Sequence, residues 1–136
     1  MSVKARINGI RVIPTEDEEQ TFVFSWAETV LYKWPELKLM HHIPNGGKRS
    51  KSEAVRFRAM GVKAGVSDIF LPVARCGYHG LYIEMKALDG QASREQGRFL
   101  AAVSEQGYLG VVCYGGEQAV KVISGYMEGK VDPPTP

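Results

Sequence analysis

The sequence predicts an α/β domain, a mixed central sheet flanked by helices, and three observations carry that expectation. Between Gly61 and Lys86 two β patterns, Asp68–Val73 and Gly80–Lys86, are joined by a loop containing Gly77 and Gly80, which reads as a hairpin. Helical patterns with capping boxes open at Thr15 (Thr15-Glu16-Asp17-Glu18) and at Ser93 (Ser93-Arg94-Glu95-Gln96). An apolar strand, Leu109–Tyr114, follows the second helix, so a crossover brings the chain back to the sheet and makes it mixed. With 136 residues, 44% of them apolar and 24% charged, the chain fits one soluble domain with a single core, placed at 1–130.

In chain order, residues 1–14 show little periodicity, and Ile7, Ile10, Val12 and Ile13 fit a short edge strand or an arm. The first helix starts after Thr15, with acids in its first turn favouring the dipole, and Pro35 stops it. At about 100° per residue, Phe22, Val23, Trp26, Ala27, Val30, Leu31 and Trp34 form a stripe centred close to the direction of Glu16. Glu19 lies nearer its edge, while Asp17 and Glu18 point away. An acid at the head of an apolar stripe is costly unless something there uses it or the first turn stays solvated. Leu37–Ile43 reads as the first core strand, and Pro44-Asn45-Gly46-Gly47 as a turn. Ser52–Met60 reads as a short helix closed by Gly61, and Leu88-Asp89-Gly90 as a turn. Phe99, Leu100 and Val103 make the next helix amphipathic, with Gly107 as its stop. Leu109–Tyr114 is apolar enough to be a central strand, Glu117–Met127 is the closing helix, and Val131–Pro136 is expected to be a disordered proline-rich tail.

Composition excludes more than it assigns. A formal charge of +2 permits phosphate binding without arguing for it, and two cysteines without a signal-peptide pattern point to a reduced, cytosolic setting. No apolar run approaches the roughly 18–20 residues of a membrane span. Cys76-x-x-His79 lacks the tightly spaced further ligands of a zinc site. Gly46-Gly47-Lys48-Arg49-Ser50 is not a phosphate loop, because His42 stands where that motif needs its first glycine and Arg49 follows the lysine, so no nucleotide cofactor is expected. What remains is a glycine loop carrying Lys48, Arg49 and Lys51, either a solvated basic turn or a grip on phosphate.

The chemistry concentrates on the hairpin. Along Gly80–Lys86, Tyr82, Glu84 and Lys86 share one face and Leu81, Ile83 and Met85 the other. Asp68, opening the neighbouring strand, returns beside Glu84. Two convergent carboxylates suit Mg²⁺ or Mn²⁺, and a neighbouring ammonium suits the charge that develops at phosphorus.

This constellation resembles the PD-(D/E)xK nucleases. Further residues narrow the resemblance to the VRR-NUC (virus-type replication-repair nuclease) family: Gly61-Val62-x-x-Gly65-Val66-Ser67-Asp68, Tyr82-Ile83-Glu84-Met85-Lys86, Ser93-x-x-Gln96-x-x-Phe99 followed by Gly107, Thr15-Glu16-x-x-x-Gln20, and Pro44-Asn45-Gly46-Gly47. Ser67 departs from the wider superfamily, where a proline often precedes the aspartate; that proline supplies no ligand. The resemblance covers nearly the whole chain and implies a restriction-endonuclease-like core in the order α-β-α-β-β-α-β-α. It implies a Mg²⁺- or Mn²⁺-dependent endodeoxyribonuclease of the stand-alone phage and bacterial type, in the cytoplasm of a bacterial or infected cell. Asp68, Glu84 and the Met85 backbone carbonyl are then the metal ligands, with Lys86 assisting the attacking water. Glu16, or failing it Glu19, is the first-helix acid that completes the site. Gln96 lies near the metal, serving both cap and site only if its side chain turns away from the Ser93 backbone. Asn45, Lys48, Arg49, Lys51 and Lys63 contact DNA. Stand-alone viral members resemble junction-resolving enzymes, so the expected substrate is branched DNA, such as a four-way Holliday junction, cut by a homodimer. Phe22, Phe24, Trp26, Tyr32 and Trp34 lie on more than one face of the first helix, which places the interface there or on the N-terminal arm. The alternatives are a non-catalytic nucleic-acid-binding module of the same fold and a nickase indifferent to DNA structure.

Overall fold

The computed structural model describes residues 6–44 and 49–134. Strands β1 (Arg6–Ile7) and β2 (Ile10–Arg11) form a small hairpin whose turn residues Asn8 and Gly9 both have positive φ, 51° and 78°, the requirement of the tight turn that Asn-Gly supplies. Helix α1 (Glu16–Thr29) is opened by the Thr15/Glu18 capping box and ends before the expected stop at Pro35. Pro35 instead begins a 3₁₀ helix, Pro35–Leu39, where an extended strand was expected from Leu37. The proline ring fixes φ for a helical first turn, and only β3 (His41–His42) of the expected Leu37–Ile43 strand joins the sheet. Helix α2 (Lys51–Ala59), capped by Ser50, precedes β4 (Ile69–Leu71), which Pro72 ends, and β5 (Leu81–Lys86). Helix α3 (Arg94–Glu105), β6 (Leu109–Tyr114) and α4 (Gly116–Met127) complete the order.

The central sheet runs β3-β4-β5-β6, antiparallel except for the parallel β5–β6 pair made by the α3 crossover. Strand β6, expected at the centre, lies at an edge and is mostly half-buried; its apolar residues are covered by helices, as Gly110 against Leu100 of α3 illustrates. Side chains from Ile69, Leu71, Leu81, Ile83 and Met85 form one face of the core, against Val23 and Ala27 of α1 and Ala119, Ile123 and Tyr126 of α4. Tyr126 closes that layer by donating its hydroxyl to the Val73 carbonyl at 2.6 Å. The opposite face carries Phe70 stacked on Tyr82, with Phe99 of α3 and Tyr108 edge-on to Tyr82. Beyond α4, Val131 packs against the core and the Tyr78 hydroxyl donates to the Asp132 carbonyl, so the described part of the segment expected to be disordered lies against the domain. Among the described residues, no helix is long and apolar enough to cross a membrane.

Candidate active site

The site forms where β4 and β5 outrun their pairing. The last paired residues are Ile69 and Ile83, so one step further along the antiparallel register Asp68 stands opposite Glu84, on the face shared by Phe70 and Tyr82. Beyond that point the Met85 N–H has no ladder partner on β4; it donates instead to Asp68 Oδ2 at 2.8 Å. The Asp68 backbone is fixed from β3, its carbonyl accepting from the Ile43 N–H and from His42 Nδ1, both at 2.7 Å. Asp68 is thus held through its carbonyl by β3 and the residue after it, and through its carboxylate by the β5 backbone. Ser67 before it is fully buried, with a hydroxyl that finds no partner.

Glu84 is only 1% exposed. Gln96 Nε2 donates to its Oε1 at 2.7 Å and Lys86 Nζ lies 3.5 Å from the same oxygen, while Oε2 is buried without any donor. Burial and, after it, the neighbouring Asp68 carboxylate push the Glu84 acid up to about 8, with Lys86 opposing. Lys86, nearly buried, places its ammonium between two carboxylates, Glu84 at 3.5 Å and Glu16 at 3.6 Å. Glu16, the first residue of α1, is about half exposed and reaches the site through Lys86. Glu19 lies elsewhere, with its carboxylate against Gly115 in a separate cleft. Gln20 also points elsewhere, into a shallow groove with Phe24 and Glu28.

Gln96 overturns the expected choice between cap and site. Its Oε1 accepts from the Ser93 N–H at 2.7 Å while Nε2 reaches Glu84, so one amide closes the capping box and holds the carboxylate with opposite ends. Serving the site does not require the side chain to leave Ser93.

Among the described residues, no three His, Cys, Asp or Glu side chains form a ready-made metal cluster. The donors that converge are two carboxylates, one with an unpartnered buried oxygen, a hard oxygen set that fits Mg²⁺ or Mn²⁺ with water completing the shell. Such an ion would satisfy both the orphaned oxygen and the repulsion between Asp68 and Glu84.

The basic residues follow from the topology. Strand β3 leaves the sheet at the end where β4 enters through Asp68, so the connection that carries α2 starts and ends at the site end of the sheet. Asn45 and Lys48 lie outside the described residues. Arg49 stacks its guanidinium on Phe57 at 4.4 Å, with Arg56 approaching the same ring at 5.4 Å. Lys51 opens α2, no residue of which is buried, and Lys63 is exposed beyond its end. Arg56 and Arg58, not singled out from the sequence, belong to the same basic segment; their alternation with apolar residues inside a helical pattern hid them.

A family profile of the VRR-NUC domain matches residues 20–117, a span holding Asp68, Glu84, Lys86 and Gln96. The chain belongs to the VRR-NUC family. A solved structure described as a VRR_NUC domain protein is similar to it with a TM-score of 0.77 and 33% identity, over 90% of this chain and 99% of that one. No curated protein matches the chain. Membership makes this a nuclease-type domain and accounts for the sheet and its crossover. Glu16 lies outside the matched span, so only its contact with Lys86 links it to the site.

Proposed function

We propose that this VRR-NUC protein is a Mg²⁺- or Mn²⁺-dependent DNA endonuclease that acts on branched DNA. The observation that carries the reading is the buried, donorless Oε2 of Glu84 beside a second carboxylate, an arrangement that is costly without a cation. Asp68 and Glu84, with the Met85 carbonyl, would hold the ion, which when bound polarises a phosphate and lowers the pKa of a water.

The chain's own residues account for the rest of the chemistry. The Met85 N–H fixes Asp68 and Gln96 fixes Glu84, so neither carboxylate has to reorganise during the reaction. Lys86, held between Glu84 and Glu16, presents its ammonium to the nucleophile and to the charge growing on the phosphate. The segment from Asn45 to Lys63 grips the backbone, with Arg56 and Arg58 adding to Lys48, Arg49, Lys51 and Lys63. A non-catalytic binding module would gain nothing from a nearly buried Lys–Glu pair, whose desolvation is costly.

The test is a panel of labelled linear duplex, single strand, flap and four-way junction, incubated with Mg²⁺ or Mn²⁺. Cleavage is expected, strongest on branched forms. Asp68→Ala and Glu84→Ala should both abolish it and weaken calorimetric metal binding; unchanged metal binding in the two variants would remove the assignment. Lys86→Ala should keep metal and DNA binding yet lose ~10²-fold or more in turnover, the scale of one preorganised charge-stabilising donor. A Lys86→Ala protein as fast as the parent would refute its role.

A further inference from the structure

A cleft of about 560 Å³ opens beside the candidate site, between α1, the loop after β5 and the start of α4, within the roughly 300–1,000 Å³ range of small-molecule pockets. Three large apolar side chains wall it while remaining exposed: Phe22 at 48%, Leu88 at 47% and Tyr114 at 38%. Their position is fixed. Tyr114 is the register partner of Lys86 on the adjacent parallel strand, so both side chains leave the same sheet face, and the Gly115 N–H donates to the Lys86 carbonyl at 2.9 Å. The Tyr114 N–H is tied to Gln118 Oε1 at 2.7 Å. Gly116 holds the Phe22 ring at the wall: a Cβ there would come within 2.5 Å of it.

Two carboxylates, Glu19 and Glu117, line this cleft against a single ammonium, Lys121. That balance disfavours a phosphate. It suits a flat, neutral ring bearing amino groups, whose N–H bonds a carboxylate accepts while aromatic walls take the ring faces. We propose that the cleft receives an unpaired nucleobase of the substrate strand next to the phosphate held at the active site, with Tyr114 and Phe22 as stacking walls and Glu19 accepting from the base's exocyclic amine. This assignment rests on the DNA-cleaving reading of the neighbouring site and deepens it, because it names an unpaired nucleotide as what distinguishes the substrate. It also gives Glu19 a use away from the metal ligands.

The test uses the full chain in chelator, so that nothing is cut, and a DNA duplex carrying one unpaired 2-aminopurine, whose fluorescence falls on stacking. The wild type should quench it and bind this DNA roughly tenfold or more tightly than the fully paired duplex, the scale of one base stacked on an aromatic ring. Tyr114→Leu and Phe22→Leu, checked for native folding by thermal melts, should each lose the quench and the preference while binding paired DNA as before. Glu19→Gln should narrow the preference for an unpaired cytosine over thymine. Absence of quenching by the wild type, or quenching unaltered in both leucine variants, overturns the proposal. So does a changed sedimentation coefficient of Tyr114→Leu with DNA binding intact, which would make the cleft a protein contact. A wild type that cuts DNA with Mg²⁺ or Mn²⁺ yet quenches nothing sinks the cleft alone, whereas one that quenches but cuts no DNA sinks the nuclease reading alone.

Discussion

A carboxylate removed from water keeps its proton unless a cation compensates, and Glu84 meets both conditions in turn, buried beside Asp68 yet faced by Lys86. Its acid rises from 4.5 to about 8 on folding, so between those values the folded protein binds more protons than the unfolded one. Stability from this group is therefore fully present below pH 4.5 and lost as pH climbs through about 8. In chelator, melting temperature should fall across that window, Glu84→Gln should flatten the fall, and Mg²⁺ or Mn²⁺ should restore the parent's stability at the alkaline end. Parallel pH profiles for parent and Glu84→Gln would dismiss Glu84 as their source. At this scale the sequence made Asp68, Glu84 and Lys86 legible because strand alternation and hairpin pairing are strict. Gln96 was half legible: the capping box was plain, but a cap and a site contact by two ends of one amide depend on where Glu84 lies in space.

Helix α2 owes little to the rest of the fold. With no buried residue, it is held by its Ser50 cap and by the stacking of Arg49 and Arg56 on Phe57, which leaves its charges available to solvent or to a ligand. Reversing Arg56 and Arg58 to Glu together should lower the melting temperature slightly, through the lost stacking on Phe57 and acids at the helix C-terminus, and weaken DNA binding. It should also lower the slope of log affinity against log salt by about 1 for each phosphate no longer neutralised. A slope equal to the parent's would assign these charges to solvent. Where elements depart from the pattern in the sequence, neighbours rather than propensity decide. Leu37–Ile43 has strand-like apolar content, yet Pro35 starts a 3₁₀ turn and Leu37 fills the core from it. Strand β6 is apolar enough for a central position, but helices cover it at the edge, and a single strand's composition does not distinguish covering by helices from covering by strands. The N-terminal hairpin turns on Asn8-Gly9, but its two-residue strands are too short for a visible alternation.

For the whole molecule, order and connectivity followed from the sequence, while the distribution of exposed apolar surface did not. The aromatics of α1 were expected to leave spare surface on several faces. Phe24, Trp26 and, beyond the end of α1, Trp34 pack against the core, Phe22 lines the cleft, and Tyr32, also beyond α1, is 86% exposed. Exposed apolar side chains are spread over the molecule, Tyr32 and Met60 among them, and three fall together on the N-terminal segment: Ile7 is 54% exposed, Ile10 69% and Val12 47%. Arg11 anchors that hairpin to the body by donating to the Pro14 carbonyl at 3.1 Å and pairing with Asp89 at 3.4 Å, so its apolar residues are displayed on a tethered support. An exposed apolar patch of this kind is suited to burial against a second copy about a twofold axis. One chain carries one site, and cutting both strands of a junction in concert needs two. The expected assembly is a homodimer through the hairpin, sedimenting at micromolar concentration as twice 15.0 kDa. Ile7→Asp with Ile10→Asp should yield a folded monomer that still nicks DNA but loses paired incision of a four-way junction. If the parent sediments as a clean 15.0 kDa monomer with and without junction DNA, the dimer is excluded, and a nickase indifferent to branching becomes the better account of this chain.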